Sequence, residues 1–481
     1  MKNKTQKWWQ IKNELNGIRY LTFVISIIFS SLFFVWLSQN NYYVVHLKSI
    51  KFYFNWISVS YIIYYIFRII HSYLFHKKYT HKKSIKSLIK NYYNKKLKVG
   101  VIVPFYNEDI KILKQTILAL LKQSHENTYI YVLNDGSNAD YKYGAWFSKL
   151  IKNKKLQNKL YYFEFKKNRG KRHVMYDGFK QALTQKVDFI VTVDSDTILH
   201  KDAIKNLVAT INSSNNFGSV TGHVLSMHTK KGNLLERLIA VRYLTAFNFE
   251  RASQAHYGGI NCNSGPLTIY RADLIKKIMN AFVTQKFMGT PSTYGDDRHL
   301  TNLVLLEGYK TGYQPFAFAF TDTPNNLWHY LKQQYRWSKS YIRELLWQAE
   351  LLLKHSFWLT LDYVMHLFLP LFLIYNFLGN VTTGTFVLFS GLFHLNLVSY
   401  YTFHQTIFNI MMFFVMLILA ALIRALYLDF FIRKKIPQKY MPSRSALYFY
   451  TILYAFLFIS VLIFLKPVAA IFIKDNSWST R

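Results

Sequence analysis

The chain has 481 residues, 51% of them hydrophobic and 18% aromatic, with a formal net charge of +36. That length exceeds what one hydrophobic core ordinarily holds, and the apolar residues gather in long blocks toward both ends, so a single soluble domain is excluded. A lone cysteine, Cys262, excludes an intramolecular disulfide and any multi-cysteine zinc site.

Crossing a bilayer takes about 20 apolar residues. Ile18 to Leu37 and Phe52 to Phe75 both qualify and predict a helical hairpin, with Arg68 near the cytoplasmic end of the second span. The first span lacks a small-residue cleavage signal and is expected to stay as an anchor. By the positive-inside rule, the densely basic stretch His76 to Lys98 lies in the cytoplasm together with the domain after it. Basic runs beside apolar segments are met by the headgroups of membrane lipids; no nucleic acid partner is expected.

From Lys98 to about Asp322, short β-rich runs alternate with amphipathic helices. Strands are predicted at Val99 to Pro104, Tyr129 to Leu133, Leu160 to Phe165 and Phe189 to Val193, and helices at Ile110 to Lys122 and Arg172 to Leu183. This is an open α/β sheet, whose ligands sit beyond the carboxyl ends of the strands. Tyr330 to Lys354 reads as a basic interfacial helix. Further apolar segments lie at Leu361 to Asn380, Phe386 to Tyr401, Ile407 to Phe431 and Ala446 to Leu465. If all four span, the basic loop Arg433 to Arg444 faces outward, against the positive-inside rule; Phe386 to Tyr401, the shortest, is the candidate for a re-entrant segment. The expected division is residues 1–75 as a membrane hairpin, 76–98 as a basic linker and 99–329 as the α/β domain, then 330–360 as interfacial helices and 361–481 as a membrane channel region.

Polar motifs fall where those strands end. The first delivers Phe105, Tyr106, Asn107, Glu108 and Asp109 to the sheet edge, and the second runs into Asn134, Asp135, Gly136 and Ser137, a carboxylate on a tight turn suited to a base or ribose. Asn168 to His173 joins a glycine, cationic side chains and the free amides of a helix start, which suits a pyrophosphate. The fourth strand enters Asp194-Ser195-Asp196, where two carboxylates one residue apart can hold a divalent cation on a diphosphate. Asn261 to Leu267 is a small, tight turn able to approach a sugar, and Gly295 to Asn302 places paired carboxylates at a helix start. In Gln333 to Trp337, Arg336 can neutralise a departing diphosphate and Trp337 can stack on an acceptor sugar.

In this order the motifs resemble the processive family-2 glycosyltransferases, whose nucleotide-binding half has the GT-A fold. The implied fold class is an α/β GT-A domain with an open mixed sheet, fused to an α-helical transmembrane domain. The resemblance implies that Tyr106, Asn107, Glu108 and Asp135 hold the uridine, that Lys171 and Arg172 approach the diphosphate, and that Asp194 and Asp196 form the nucleotide and metal motif with Mg²⁺ or Mn²⁺. Cys262, Ser264, Gly265, Arg298 and Gln333 fall on the sugar and acceptor side. Asp297 resembles the family's catalytic base, with Asp296 its main competitor, and Arg336 and Trp337 complete the catalytic set. One departure is Asn134, where the family usually has an acidic residue. Gly295 to Asn302 with Arg336 to Ser340 narrows the resemblance to the hyaluronan synthases. That implies UDP-GlcA and UDP-GlcNAc as substrates, a growing polysaccharide as product, and a chain compatible with acting as a monomer. The alternatives are a chitin-type synthase using UDP-GlcNAc alone and a non-enzymatic membrane transporter or scaffold.

Overall fold

The computed structural model describes residues 42–47, 50–78, 82–138, 143–153, 158–348, 357–393 and 400–474. The expected span Ile18 to Leu37 lies outside them. A hairpin of β1 (Tyr42–Leu47) and β2 (Ile50–Asn55) leads into α1 (Trp56–Lys78), followed by α2 (Lys82–Tyr92). The α/β domain then runs β3 (Val99–Phe105), α3 (Ile110–Leu121), β4 (Thr128–Asn134), α4 (Tyr143–Ile151), β5 (Leu160–Glu164), α5 (Lys171–Thr184) and β6 (Phe189–Thr192). Its second half comprises β7 (Thr197–Leu199), α6 (Ala203–Asn212), β8 (Phe217–Ser226), α7 (Leu234–Thr245), a π-helical segment (Ala246–Arg251), α8 (Ala252–Tyr257), β9 (Thr268–Arg271) and α9 (Ala272–Val283). The small pair β10 (Lys286–Phe287) and β11 (Thr290–Pro291), α10 (Asp296–Leu306) and β12 (Lys310–Thr321) complete it.

Eight strands form one open mixed sheet in the order β5-β4-β3-β6-β9-β8-β12-β7. β3, β4, β5 and β6 run parallel, whereas β9 is antiparallel to both β6 and β8. Residues alternate between the two faces of a strand. Val101, Val103, Ile130 and Val132 therefore pack on the face covered by Ile117 of α3, and Ile102, Tyr131 and Leu133 on the face covered by Phe179 of α5 and Phe282 of α9. Chain order reverses at β3, with β4 on one side and β6 on the other, and such a switch point opens a crevice at the strands' carboxyl ends.

The long helix α11 (Leu327–Gln348) leads toward α12 (Phe357–Leu392), α13 (Tyr400–Tyr427), α14 (Arg444–Ser460) and α15 (Leu465–Ile471). The segments expected at Leu361 to Asn380 and Phe386 to Tyr401 are not separate: α12 takes in the first and carries on into the second, through Pro370, for 36 residues. Among the described residues two stretches are long and apolar enough to cross a membrane, Phe357–Ser390 and Phe413–Lys435, or three if the pair Arg444–Ser460 and Leu462–Ile471, bent by 42°, is one span. α1 is not one of them. Its polar residues turn inward instead: Arg68 is buried, donates to Ser253 of α8 at 3.2 Å and lies 3.5 Å from Asp362 of α12. Asp362 also accepts from Tyr64, Tyr257, Gln254 and Asn261 at 2.6 to 3.1 Å, so one buried carboxylate fastens α1, α8 and α12 together. The basic loop after α13 packs back on the sheet, where Tyr440 stacks on Phe320 of β12 with ring centroids 4.0 Å apart and Lys435 donates to the His76 carbonyl.

Candidate active site

The parallel strands β3, β4 and β6 all end at the same edge, so their loops converge there. After β3, Asn107 sits at φ 48, and Glu108 is buried, accepting from the Ser195 hydroxyl at 2.5 Å. After β4, Asp135 accepts backbone N–H bonds from Arg169 and Gly170 at 2.8 and 2.9 Å, joining its turn to the basic loop. Burial raises the Asp135 pKa despite those bonds. Asn134, at the position where an acid was expected, is fully buried and structural: its amide donates to Tyr162 and Glu164, and its carbonyl caps the Ser137 N–H.

Lys171 and Arg172 open α5, and successive helical positions point about 100° apart. Lys171 faces the crevice, 2.6 Å from Asp194 and 3.9 Å from Asp296. Burial lowers its pKa, but those two carboxylates outweigh that effect and raise it overall, so it is a fixed cation. Arg172 was expected at the diphosphate and instead turns into the protein, 2% exposed. It donates to Asp296 at 3.2 Å, to the Tyr294 carbonyl at 2.7 Å and to the Gln285 amide oxygen.

Asp194 and Asp196 come directly after β6. Asp196 accepts from the hydroxyls of Thr197 and Thr321 at 3.2 and 3.3 Å. Gly265 comes so close to Asp194 that an added Cβ would lie 3.3 Å from its carboxylate, which joins the Asn261 to Leu267 turn to the acidic motif. Two carboxylates and flanking hydroxyls are hard oxygen donors fitting Mg²⁺ or Mn²⁺. Among the described residues no group of three or more His, Cys, Asp or Glu is arranged to hold a metal, so substrate oxygens and water would complete its shell.

Gly295, at φ 80, starts α10 in a conformation that favours glycine, and it abuts Ser340 of α11. The two acids behind it differ. Asp296 is buried and bound by Arg172, whereas among the described residues the half-buried Asp297 carboxylate accepts the Arg298 backbone N–H alone, at 2.8 Å. Burial, then the neighbouring Asp296, raises the Asp297 pKa, as suits a proton acceptor. Behind them lies a network that the motifs did not disclose. Glu344 of α11, 1% exposed, accepts from Gln285 at 2.6 Å, Asn302 at 2.8 Å and His299 Nδ1 at 3.0 Å. Arg172, Gln285 and Glu344 thus tie α5, α10 and α11 into one unit.

One cavity of about 1350 Å³ collects these groups. Lys171, Asp194, Asp196, Asp296, Asp297 and Arg298 line it, as do Cys262, Ser264, Gly265, Gln333, Arg336 and Trp337. Its walls continue through Leu369 and Phe372 of α12, Phe413 of α13 and Phe458 of α14. Trp337 is 42% exposed on that wall. Burial pushes the Cys262 thiol up to about 11, so it is a neutral lining group rather than a nucleophile. Tyr106, Asn107, Glu108 and Asp135 stand at the neighbouring strand ends outside the cavity, and Arg172 lies behind it. Glu344 could have been flagged from sequence as the one acid in the otherwise basic α11. Gln285 and Ser195 carry no such signal.

The family described as "Glycosyltransferase like family 2" matches residues 97–340. The chain is 32% identical over 393 residues to a hyaluronan synthase of Streptococcus pyogenes, covering 80% of this chain and 83% of that one. It is 41% identical over 204 residues to hyaluronan synthase 1 of Xenopus tropicalis, covering 42% of this chain and only 34% of the frog protein. A solved mannosyltransferase from Pyrobaculum calidifontis, in complex with GDP-Man and Mn²⁺, superposes with a TM-score of 0.43 at 16% identity, covering 63% of this chain and 78% of that one.

Proposed function

The chain belongs to the hyaluronan synthases within the family-2 glycosyltransferases, and from that premise we propose that it polymerises GlcA and GlcNAc alternately from UDP-GlcA and UDP-GlcNAc at one site and passes the product into the membrane region. The observation that carries this is the continuity of the cavity from Asp194, Asp196 and Asp297 to the apolar helices α12, α13 and α14.

In each step the acceptor hydroxyl gives its proton to Asp297 as its oxygen attacks the anomeric carbon. The bond from that carbon to the diphosphate oxygen breaks, UDP leaves with the electron pair, and the configuration inverts. Tyr106, Asn107, Glu108 and Asp135 hold the uridine at the strand ends. Lys171 and Arg336 oppose the charge that develops on the leaving diphosphate, in a low-dielectric setting where fixed cations act strongly. Asp194 and Asp196 would hold Mg²⁺ or Mn²⁺, which neutralises diphosphate charge. Asp296, committed to Arg172, positions α10 rather than taking the proton. Trp337 offers a face to the acceptor sugar, while Ser264, Gly265 and Gln333 shape the wall around it.

The catalytic domain faces the cytoplasm in this reading. Because α12 is one helix, Arg433 to Arg444 falls on the catalytic side of the membrane, which its packing on β12 supports and the positive-inside rule requires. The test is polymer synthesis by purified protein in lipid, with each UDP-sugar alone and with both. High-mass product that needs both donors and is digested by hyaluronidase is expected; a chitinase-sensitive product from UDP-GlcNAc alone would overturn the assignment.

A further inference from the structure

Several histidines turn a ring nitrogen to an oxygen acceptor: His228 to Asp322 at 2.7 Å, His299 to Glu344 at 3.0 Å, and His125 and His223 to the Leu97 and Pro315 carbonyls at 2.9 and 3.1 Å. His71 of α1 and His256 of α8 turn to each other. Their Nδ1 atoms stand 2.7 Å apart, although the residues are 185 positions apart in the chain. Two lone pairs would repel at that distance, as would two N–H groups, so the rings share one proton between them.

The pair stands at the surface and apart from the catalytic cavity: His256 is exposed, His71 is half-buried, and neither lines that cavity. Aromatic neighbours fix the His71 ring. Phe67 lies one turn before it with ring centroids 4.1 Å apart, Tyr257 meets it edge-on at 5.3 Å, and Trp358 of α12 lies at 6.2 Å. A ligating ring held in this way loses little freedom when it takes up an ion. Metal–imidazole bonds of about 2.0–2.1 Å put two adjacent ligand nitrogens about 2.9 Å apart on a square-planar ion and about 3.3 Å apart on a tetrahedral one. The two Nδ1 atoms therefore need to part by roughly 0.2–0.6 Å to admit either.

We infer that His71 and His256 form a surface site for a divalent transition-metal ion of the Cu²⁺, Ni²⁺ and Zn²⁺ class, distinct from the acidic pair at the diphosphate. Imidazole nitrogens suit these ions, whereas Mg²⁺ and Mn²⁺ prefer oxygens such as those of Asp194 and Asp196. Lys78, at the end of α1, acts electrostatically on His256 and opposes a cation there, which disfavours ions held by charge alone and leaves those that bond strongly to nitrogen. On binding, the shared proton moves to Nε2 of the ring that carried it, so both rings coordinate through Nδ1 as neutral imidazoles and water completes the shell. The ion ties α1 to α8, the helix that follows the π-helical segment. The site is independent of which sugars the protein polymerises.

The test is calorimetric titration of the untagged full chain in lipid nanodiscs with Cu²⁺ and with Ni²⁺, in excess Mg²⁺ that keeps the acidic pair filled, joined to electron paramagnetic resonance of the Cu²⁺ sample. Wild type should bind one ion per chain and show nitrogen couplings from two imidazoles. H71Q and H256Q should each bind the ion about tenfold or more weakly and show one imidazole at most, and Cu²⁺ should bind more tightly than Ni²⁺. Because neither residue lines the catalytic cavity, polymer synthesis in Mg²⁺ alone should be unchanged in both variants. Loss of that activity identifies a variant that has not folded, and the imidazole count of wild type then decides. No saturable site in wild type, fewer than two imidazoles on its Cu²⁺, or undiminished affinity in either folded variant overturns the site.

Discussion

Replacing Glu344 by Gln removes one charge from the centre of the site while preserving shape, and the hydrogen bonds set the cost. Three donors converge on the carboxylate: Gln285 on one oxygen, Asn302 and His299 on the other. A glutamine keeps a single acceptor oxygen. Placed to retain Asn302 and His299, its amide nitrogen confronts the Gln285 nitrogen. Gln285 cannot turn over without presenting N–H₂ to Arg172, itself a donor. One buried donor pair is therefore left facing each other, at about 1–3 kcal/mol per unsatisfied group, or roughly 3 kcal/mol in all. For a domain of this size each kcal/mol shifts Tm by about 2–4 °C, so E344Q should melt roughly 6–12 °C lower by differential scanning fluorimetry in detergent. The kcat should fall while UDP affinity changes little, because α10 rather than the uridine side loses its support. A Tm within about 2 °C of wild type would refute the reasoning. The pH dependence has the same origin: burial raises the Glu344 pKa, but His299, Arg172 and the donors outweigh it and hold it at about 2, against an ordinary 4.5. With its folded pKa depressed, Glu344 contributes stability above pH 4.5 that is lost as pH falls from there toward 2. E344Q should flatten that part of the profile.

Asp196→Asn should lower transfer by about a hundredfold or more at fixed UDP-sugar, and chelation of wild type should do the same and be reversed by Mg²⁺ or Mn²⁺. Unchanged turnover in either experiment would remove the acidic pair from the metal assignment. Asp362→Ala leaves Arg68 buried without its partner, which costs about 3–5 kcal/mol. It should sharply reduce the yield of folded protein from detergent, whereas the double replacement of Arg68 and Asp362 by apolar residues of similar volume should recover much of it.

The parallel half of the sheet was legible because β3, β4 and β6 are buried runs of β-branched and apolar residues, each broken by a polar turn. β8 and β12 were not, since glycine, serine, histidine and a proline interrupt runs that are nonetheless buried over most of their length, with a register shift between Tyr313 and Phe318. Hydropathy also divided α12 in two, because Asn376, Asn380 and neighbouring threonines look like a break although the helix continues through them. The predicted site residues that line the cavity carried motif signals. Those that hold them from behind did not: Arg172 sits in the basic motif but points the other way, onto Gln285 from 113 residues further on, which in turn donates to Glu344 of α11. Such contacts depend on tertiary geometry that spacing along the chain does not encode.

The central claim is that one cavity with one base performs both transfers. Polymerisation from UDP-GlcA and UDP-GlcNAc carrying different radiolabels, with wild type and D297N compared, tests it most directly. Wild type should incorporate the two sugars in equal amounts, and D297N should lose both incorporations together by about a hundredfold or more. If D297N still incorporated either sugar at the wild-type rate, a second base would be at work and the single-site account would be contradicted.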